Sequence, residues 1–71
     1  MVLACDFVSI WNGGEICKTT SAKYDSETNL IYDIEVTDDV DELDVLDREY
    51  AVIDGVPHCI SDNDDGTYSV L

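Results

Sequence analysis

The stretch whose reading decides the fold runs from Ile34 to Asp47, IEVTDDVDELDVLD. Glu35, Asp38, Asp39, Asp41, Glu42, Asp44 and Asp47 are acidic, and no basic residue interrupts them. Val40, Leu43 and Leu46, followed by Tyr50, recur at spacings of three and four, which is the period of a helix with one apolar face. The spacing predicts a short helix of about three turns, with a loop holding a single turn as the alternative. Thr37 or Asp38 would cap its start, and Asp41 or Glu42 would sit favourably in its first turn. Asp44 and Asp47 lie nearer the end, where the helix dipole disfavours them; Arg48 offsets this by pairing with Asp44 at i,i+4.

Around this stretch the pattern is that of strands. Leu30 to Val36 alternates, with Leu30, Tyr32, Ile34 and Val36 on one face and Asp33 and Glu35 on the other. Val2 to Trp11 is apolar on both faces apart from Asp6, as expected of a central or well-covered strand. Asn12-Gly13-Gly14 tolerates positive φ and marks a hairpin leading into a strand from Glu15 to Tyr24, with Ile16, Thr20, Ala22 and Tyr24 inward. Asp25–Asn29 is a polar turn. Extended character resumes at Tyr50 to Ile53, turns at Asp54-Gly55 and returns over Val56 to Ile60, where Pro57 favours an edge. Ser61 to Gly66 is a polar turn before a last strand, Thr67 to Leu71. The expected fold is α+β: a small antiparallel sheet of about five or six short strands with one short helix.

A chain of 71 residues is expected to form a single acidic domain over residues 1–71. With 45% hydrophobic residues it has material for a core despite its charge. Seventeen acids face only Lys18, Lys23 and Arg48, for a net charge of −14. Direct binding to nucleic acid needs cations opposite phosphates, so it is not expected; a basic protein surface is the electrostatically favoured partner. The start, MVLACDFVSIW, has neither the positive leader nor the long apolar run of a signal peptide, and no stretch has the length of a membrane span. The expected location is cytoplasmic, in a bacterial host cytoplasm if the resemblance given below holds.

Specific chemistry finds little support in the residue order. Asp62-Asn63-Asp64-Asp65-Gly66 resembles a calcium loop, but with Gly66 in the sixth position the twelfth falls beyond Leu71, so the bidentate glutamate is missing. Cys5, Cys17, His58 and Cys59 are of types that bind zinc, yet no CxxC pair exists and adjacent strand residues point oppositely. The three cysteines read as buried and inert. No catalytic residue, cofactor or metal site is expected. His58 is the only histidine, and carboxylates are too many for any pair to stand out.

The small size and high acidity resemble those of inhibitors made by bacterial phages and mobile elements, the DNA-mimic anti-restriction and anti-CRISPR proteins. The resemblance implies blockade of a basic nucleic-acid-binding groove in a bacterial defence or regulatory complex. The expected partner surface is Asp33, Glu35, Asp38, Asp39, Asp41, Glu42, Asp44 and Asp47, whose carboxylates can imitate the spacing of backbone phosphates. The alternatives are a small acidic regulatory binding module, or a structural domain with a solvated or halophilic acidic surface.

Overall fold

The computed structural model describes residues 1–35 and 40–71. Among them lie six strands: β1 (Val2–Trp11), β2 (Ile16–Asp25), β3 (Leu30–Tyr32), β4 (Leu46–Ile53), β5 (Val56–Asp62) and β6 (Tyr68–Val70). The strands close into an antiparallel barrel in the order β1-β2-β3-β6-β5-β4, with β4 pairing back onto β1. Two three-stranded meanders, β1-β2-β3 and β4-β5-β6, are thus joined along two seams, β1 with β4 and β3 with β6. Closure removes the open edges that would otherwise template pairing with other chains.

The turns follow from residues that accept positive φ. Asp54 and Gly55 have φ of 53° and 77°, the conformation of a two-residue hairpin turn whose twist matches its strands. In such a hairpin Ile53 and Val56 exchange both backbone bonds, so the next pair, Val52 and Pro57, does not. The imide nitrogen of Pro57 therefore points away from β4. On that side β5 pairs with β6 only from Ile60 to Asp62. Pro57 sits where no ladder bond is lost, which is how a closed barrel tolerates it.

The core follows the strand alternation. Cys5, Phe7, Ala22, Ile31, Ala51 and Ile53 are buried together, with Leu3, Tyr24, Ile34, Ile60, Tyr68 and Val70 packed against them. Phe7 and Tyr68 form a tilted aromatic pair with ring centroids 4.8 Å apart. Val8, on the other face of β1, is also buried, flanked by Thr19 and Tyr50. β1 is paired on both sides, as its two apolar faces indicate.

The α+β expectation is overturned: among the described residues the chain is almost all β and contains no α-helix. Leu46 and Tyr50, two positions of the expected helical stripe, lie in β4, and Leu43 is exposed. The alternative proves more favourable for two physical reasons. The short acidic side chains make local bonds that compete with a helix: the Asp41 carboxylate accepts the Leu43 N–H at 3.0 Å, and the Asp44 carboxylate accepts the Asp41 N–H at 3.0 Å. From Leu46 onward β4 pairs with β1 at every residue but Asp47, a long-range gain that local periodicity does not register. Arg48, expected to pair with Asp44, instead lies over the Tyr50 ring at 5.9 Å. The expected caps, Thr37 and Asp38, lie outside the described residues.

The strand expected over residues 30–36 is also shorter and faces differently. Ile31, not Leu30 or Tyr32, is the fully buried residue. Asp33 takes φ of 49°. Tyr32 pairs with Lys23, but the Glu35 N–H donates to the Ser21 carbonyl at 2.9 Å, so one extra residue has entered this side of the ladder. The bulge resets the alternation and returns Ile34 to the core. Val36 lies outside the described residues.

Candidate functional site

Following each strand from end to end shows how the barrel sorts its charge. The turn 12–15, the described parts of the connection between β3 and β4 (33–35 and 40–45) and the turn 63–67 all belong to one end, where β1, β3 and β5 finish and β2, β4 and β6 begin. That end carries Glu15; Asp33, Glu35, Asp41, Glu42 and Asp44 of the long connection; Asp47 and Glu49 in the first half of β4; and Asp62, Asp64 and Asp65. Among the described residues the opposite end has only Asp25, Glu27 and Asp54, while Asp6 lies midway along β1.

The acidic connection is fastened to the first hairpin. The Asn12 side chain donates from Nδ2 to the Asp44 carboxylate and accepts the Val45 N–H at 3.0 Å. The Asn12 N–H donates to the Val45 carbonyl at 2.8 Å. Between β1 and β4 the register shifts after Ile10, from Arg48 to Leu46 as partner, leaving Asp47 as the extra residue. This bulge lets the Asp47 carboxylate accept the Gly14 N–H at 3.1 Å.

The expected site residues divide accordingly. Asp41, Glu42 and Glu35 are exposed. Asp33 is exposed but pairs with Lys23 at 3.2 Å. Asp44 is half-buried and Asp47 exposed, and both hold the turn against the first hairpin. Asp38 and Asp39 lie outside the described residues. Glu15, Asp62, Asp64 and Asp65 join the acidic end without having been expected there. The Asp62–Asp65 run is legible as acidic, but only the barrel topology brings it to the end that holds Glu35, Asp41, Glu42, Asp44 and Asp47.

A cleft of about 560 Å³ opens between the core and the loops of this end. Phe7, Ile34 and Tyr68 form its apolar wall, Ser9 and Thr20 contribute hydroxyls, and Asp33, Glu35 and Glu49 its carboxylates. Burial raises the Glu49 carboxyl above its ordinary range; the Tyr68 hydroxyl beside it pulls it back, and Asp62 adds to the rise. Tyr68 is itself pushed up, first by burial and then by the Glu49 carboxylate, with Asp62 and Asp64 contributing. The hydroxyl of Thr20 and the indole nitrogen of Trp11 are buried with no hydrogen-bond partner among the described residues.

The Asp62–Thr67 turn binds its own acids. The Asp62 carboxylate accepts the Asp64 N–H at 2.8 Å, and Asp65 accepts both the N–H and the hydroxyl of Thr67. The Thr67 hydroxyl and then its N–H hold the Asp65 carboxyl below its ordinary value. Among the described residues no three histidine, cysteine or acidic side chains are grouped to hold a metal ion. Cys5 is buried, and burial followed by the charge of Asp6 raises its thiol. Cys17 and Cys59 are exposed, contrary to the expectation that all three cysteines are buried. Among the described residues no helix is long and apolar enough to cross a membrane.

No family model, curated protein or solved structure matches this chain.

Proposed function

We propose that this protein is a binding protein whose acidic end imitates the charge of a nucleic-acid backbone and occupies the basic groove of a bacterial nucleic-acid-binding complex. The observation that carries the reading is the uneven distribution of charge along the barrel. Acids from three separate parts of the sequence gather at one end, while the other end has few. A net charge of −14 on so small a body produces a strong field. Such a field steers encounter with a cationic groove and favours partners of that sign. The mechanism is blockade, in which the domain occupies the groove and excludes the nucleic acid.

A solvated acidic coat suited to high salt is the second reading. It is favoured by Asp6, Asp25, Glu27 and Asp54, which lie away from the acidic end.

The test is DNA binding by purified restriction and CRISPR effector complexes, with and without the protein, at about 50 and about 200 mM salt. The first reading expects competition that weakens at the higher salt. It also expects the combined change Glu15→Gln, Glu35→Gln, Glu42→Gln and Asp64→Asn to abolish competition while leaving the fold intact. The coat reading expects no competition and cooperative unfolding as salt is removed.

A further inference from the structure

Among the described residues, the acidic end also displays a short apolar run. Leu43 is 86% exposed, Val45 63% and Leu46 40%. The other large exposed apolar residues are Met1 and Val2 at the start of the chain, Val56 at the Asp54-Gly55 turn and Leu71 at the last position. These three exposed side chains fall within four residues of one turn, a local concentration of apolar surface.

The patch has a defined backbone. The Asp44 N–H donates to the Asp41 carbonyl at 2.9 Å, and the Leu43 N–H to the Asp41 carboxylate at 3.0 Å. Asn12 grips Asp44 and Val45, while Leu46 begins β4 opposite Trp11. Little ordering entropy remains to be lost when such a turn docks.

Charge decides which occupant fits. Asp41, Glu42, Asp44 and Asp47 interleave with the apolar residues, so whatever covers Leu43 must also face carboxylates. A second copy would bring the same charge against itself, and an anionic lipid surface would repel the turn. A protein socket that is apolar at its centre and lysine- or arginine-lined at its rim satisfies both features. This is the usual anatomy of an interface hot spot.

We propose that the Leu43–Leu46 turn is the anchor of the partner interface, seating Leu43 in an apolar socket ringed by basic residues. This rests on the acidic-end reading and adds to it a contact that no nucleic acid supplies.

The probes are two synthetic helical peptides of equal positive charge, one with a leucine stripe among its lysines and one with serines in place of the leucines. Binding of each is measured by fluorescence anisotropy at low and high salt, with heteronuclear NMR to locate the contact. The leucine–lysine peptide is expected to bind at least about tenfold tighter. Leu43→Ser with Val45→Thr should erase that margin, and shift changes should centre on Leu43–Leu46. Both positions are exposed, so the fold is expected to survive, and the NMR spectrum of the variant checks this. Equal, salt-sensitive binding of the two peptides overturns the anchor and leaves the acidic reading standing. Binding of neither peptide, or binding indifferent to salt, overturns both. Self-association or vesicle binding that disappears in Leu43→Ser overturns the socket in favour of a second copy or a membrane.

Discussion

Asn12 and Asp44, thirty-two positions apart, are joined side chain to side chain, and this bond fixes the acidic connection onto the first hairpin. Asn12 also has φ of 53°, a conformation that asparagine and glycine accept more readily than other residues. One residue therefore forms the turn and clamps the segment opposite.

Asn12→Ala should lose about 1–3 kcal/mol, from two side-chain bonds and the left-handed backbone together. Asn12→Gly keeps the backbone freedom and should lose less, about 1–2 kcal/mol. Urea denaturation of the two variants separates the contributions. In Asn12→Gly, amide exchange at Val45 should accelerate with β1 to β3 unchanged.

Ile31 is the fully buried side chain at the centre of β3, between β2 and β6. Ile31→Ala should cost about 2–5 kcal/mol, because a short strand in a small barrel cannot collapse onto the cavity. A change under about 1 kcal/mol in chemical denaturation would show that the barrel seam between β3 and β6 is not where the core is fixed.

Asp33 places its backbone in the left-handed region and its carboxylate beside Lys23. The ion pair is exposed and worth about 0–1 kcal/mol, comparable to the strain a glycine would relieve. Asp33→Gly should therefore be nearly neutral. Asp33→Val, β-branched at a positive φ, should cost about 1–2 kcal/mol. Thermal unfolding of the pair tests whether the bulge, rather than the ion pair, sets this corner.

Glu49 gives a pH dependence of definite sign. Its carboxyl is raised in the folded chain from an ordinary value of 4.5, chiefly by burial. Below that value both states hold the proton and nothing is lost. As pH rises the unfolded chain releases its proton first, so stability falls up to the raised native value and the loss is then constant. Glu49→Gln should match the parent below about pH 4 and be modestly more stable at pH 7. Equal denaturation midpoints at pH 7 would contradict this.

Much of the barrel was legible in residue order. Val2–Trp11, apolar on both faces, reads as a covered strand, and it is paired on both sides. Asn12-Gly13-Gly14 and Asp54-Gly55 read as turns because their residues accept positive φ, and they turn there. The acidic excess needed only counting. Misreading came where local pattern and distant pairing disagreed. Val40, Leu43, Leu46 and Tyr50 have helical spacing, but β1 pairs with Leu46 onward as a strand and leaves Leu43 in solvent. The alternation of Leu30 to Ile34 was misread for a similar reason, since a single left-handed aspartate shifts the register.

Sequence alone determined the charge, the turns and the longest strand, because each depends on residue type or on near neighbours. Closure of the barrel, the gathering of Asp62–Asp65 with Asp41–Asp47 at one end, and the outward display of Leu43 were decided by tertiary structure. Each of these depends on which strand lies beside which, and pairing free energy comes from contacts between residues far apart in the chain.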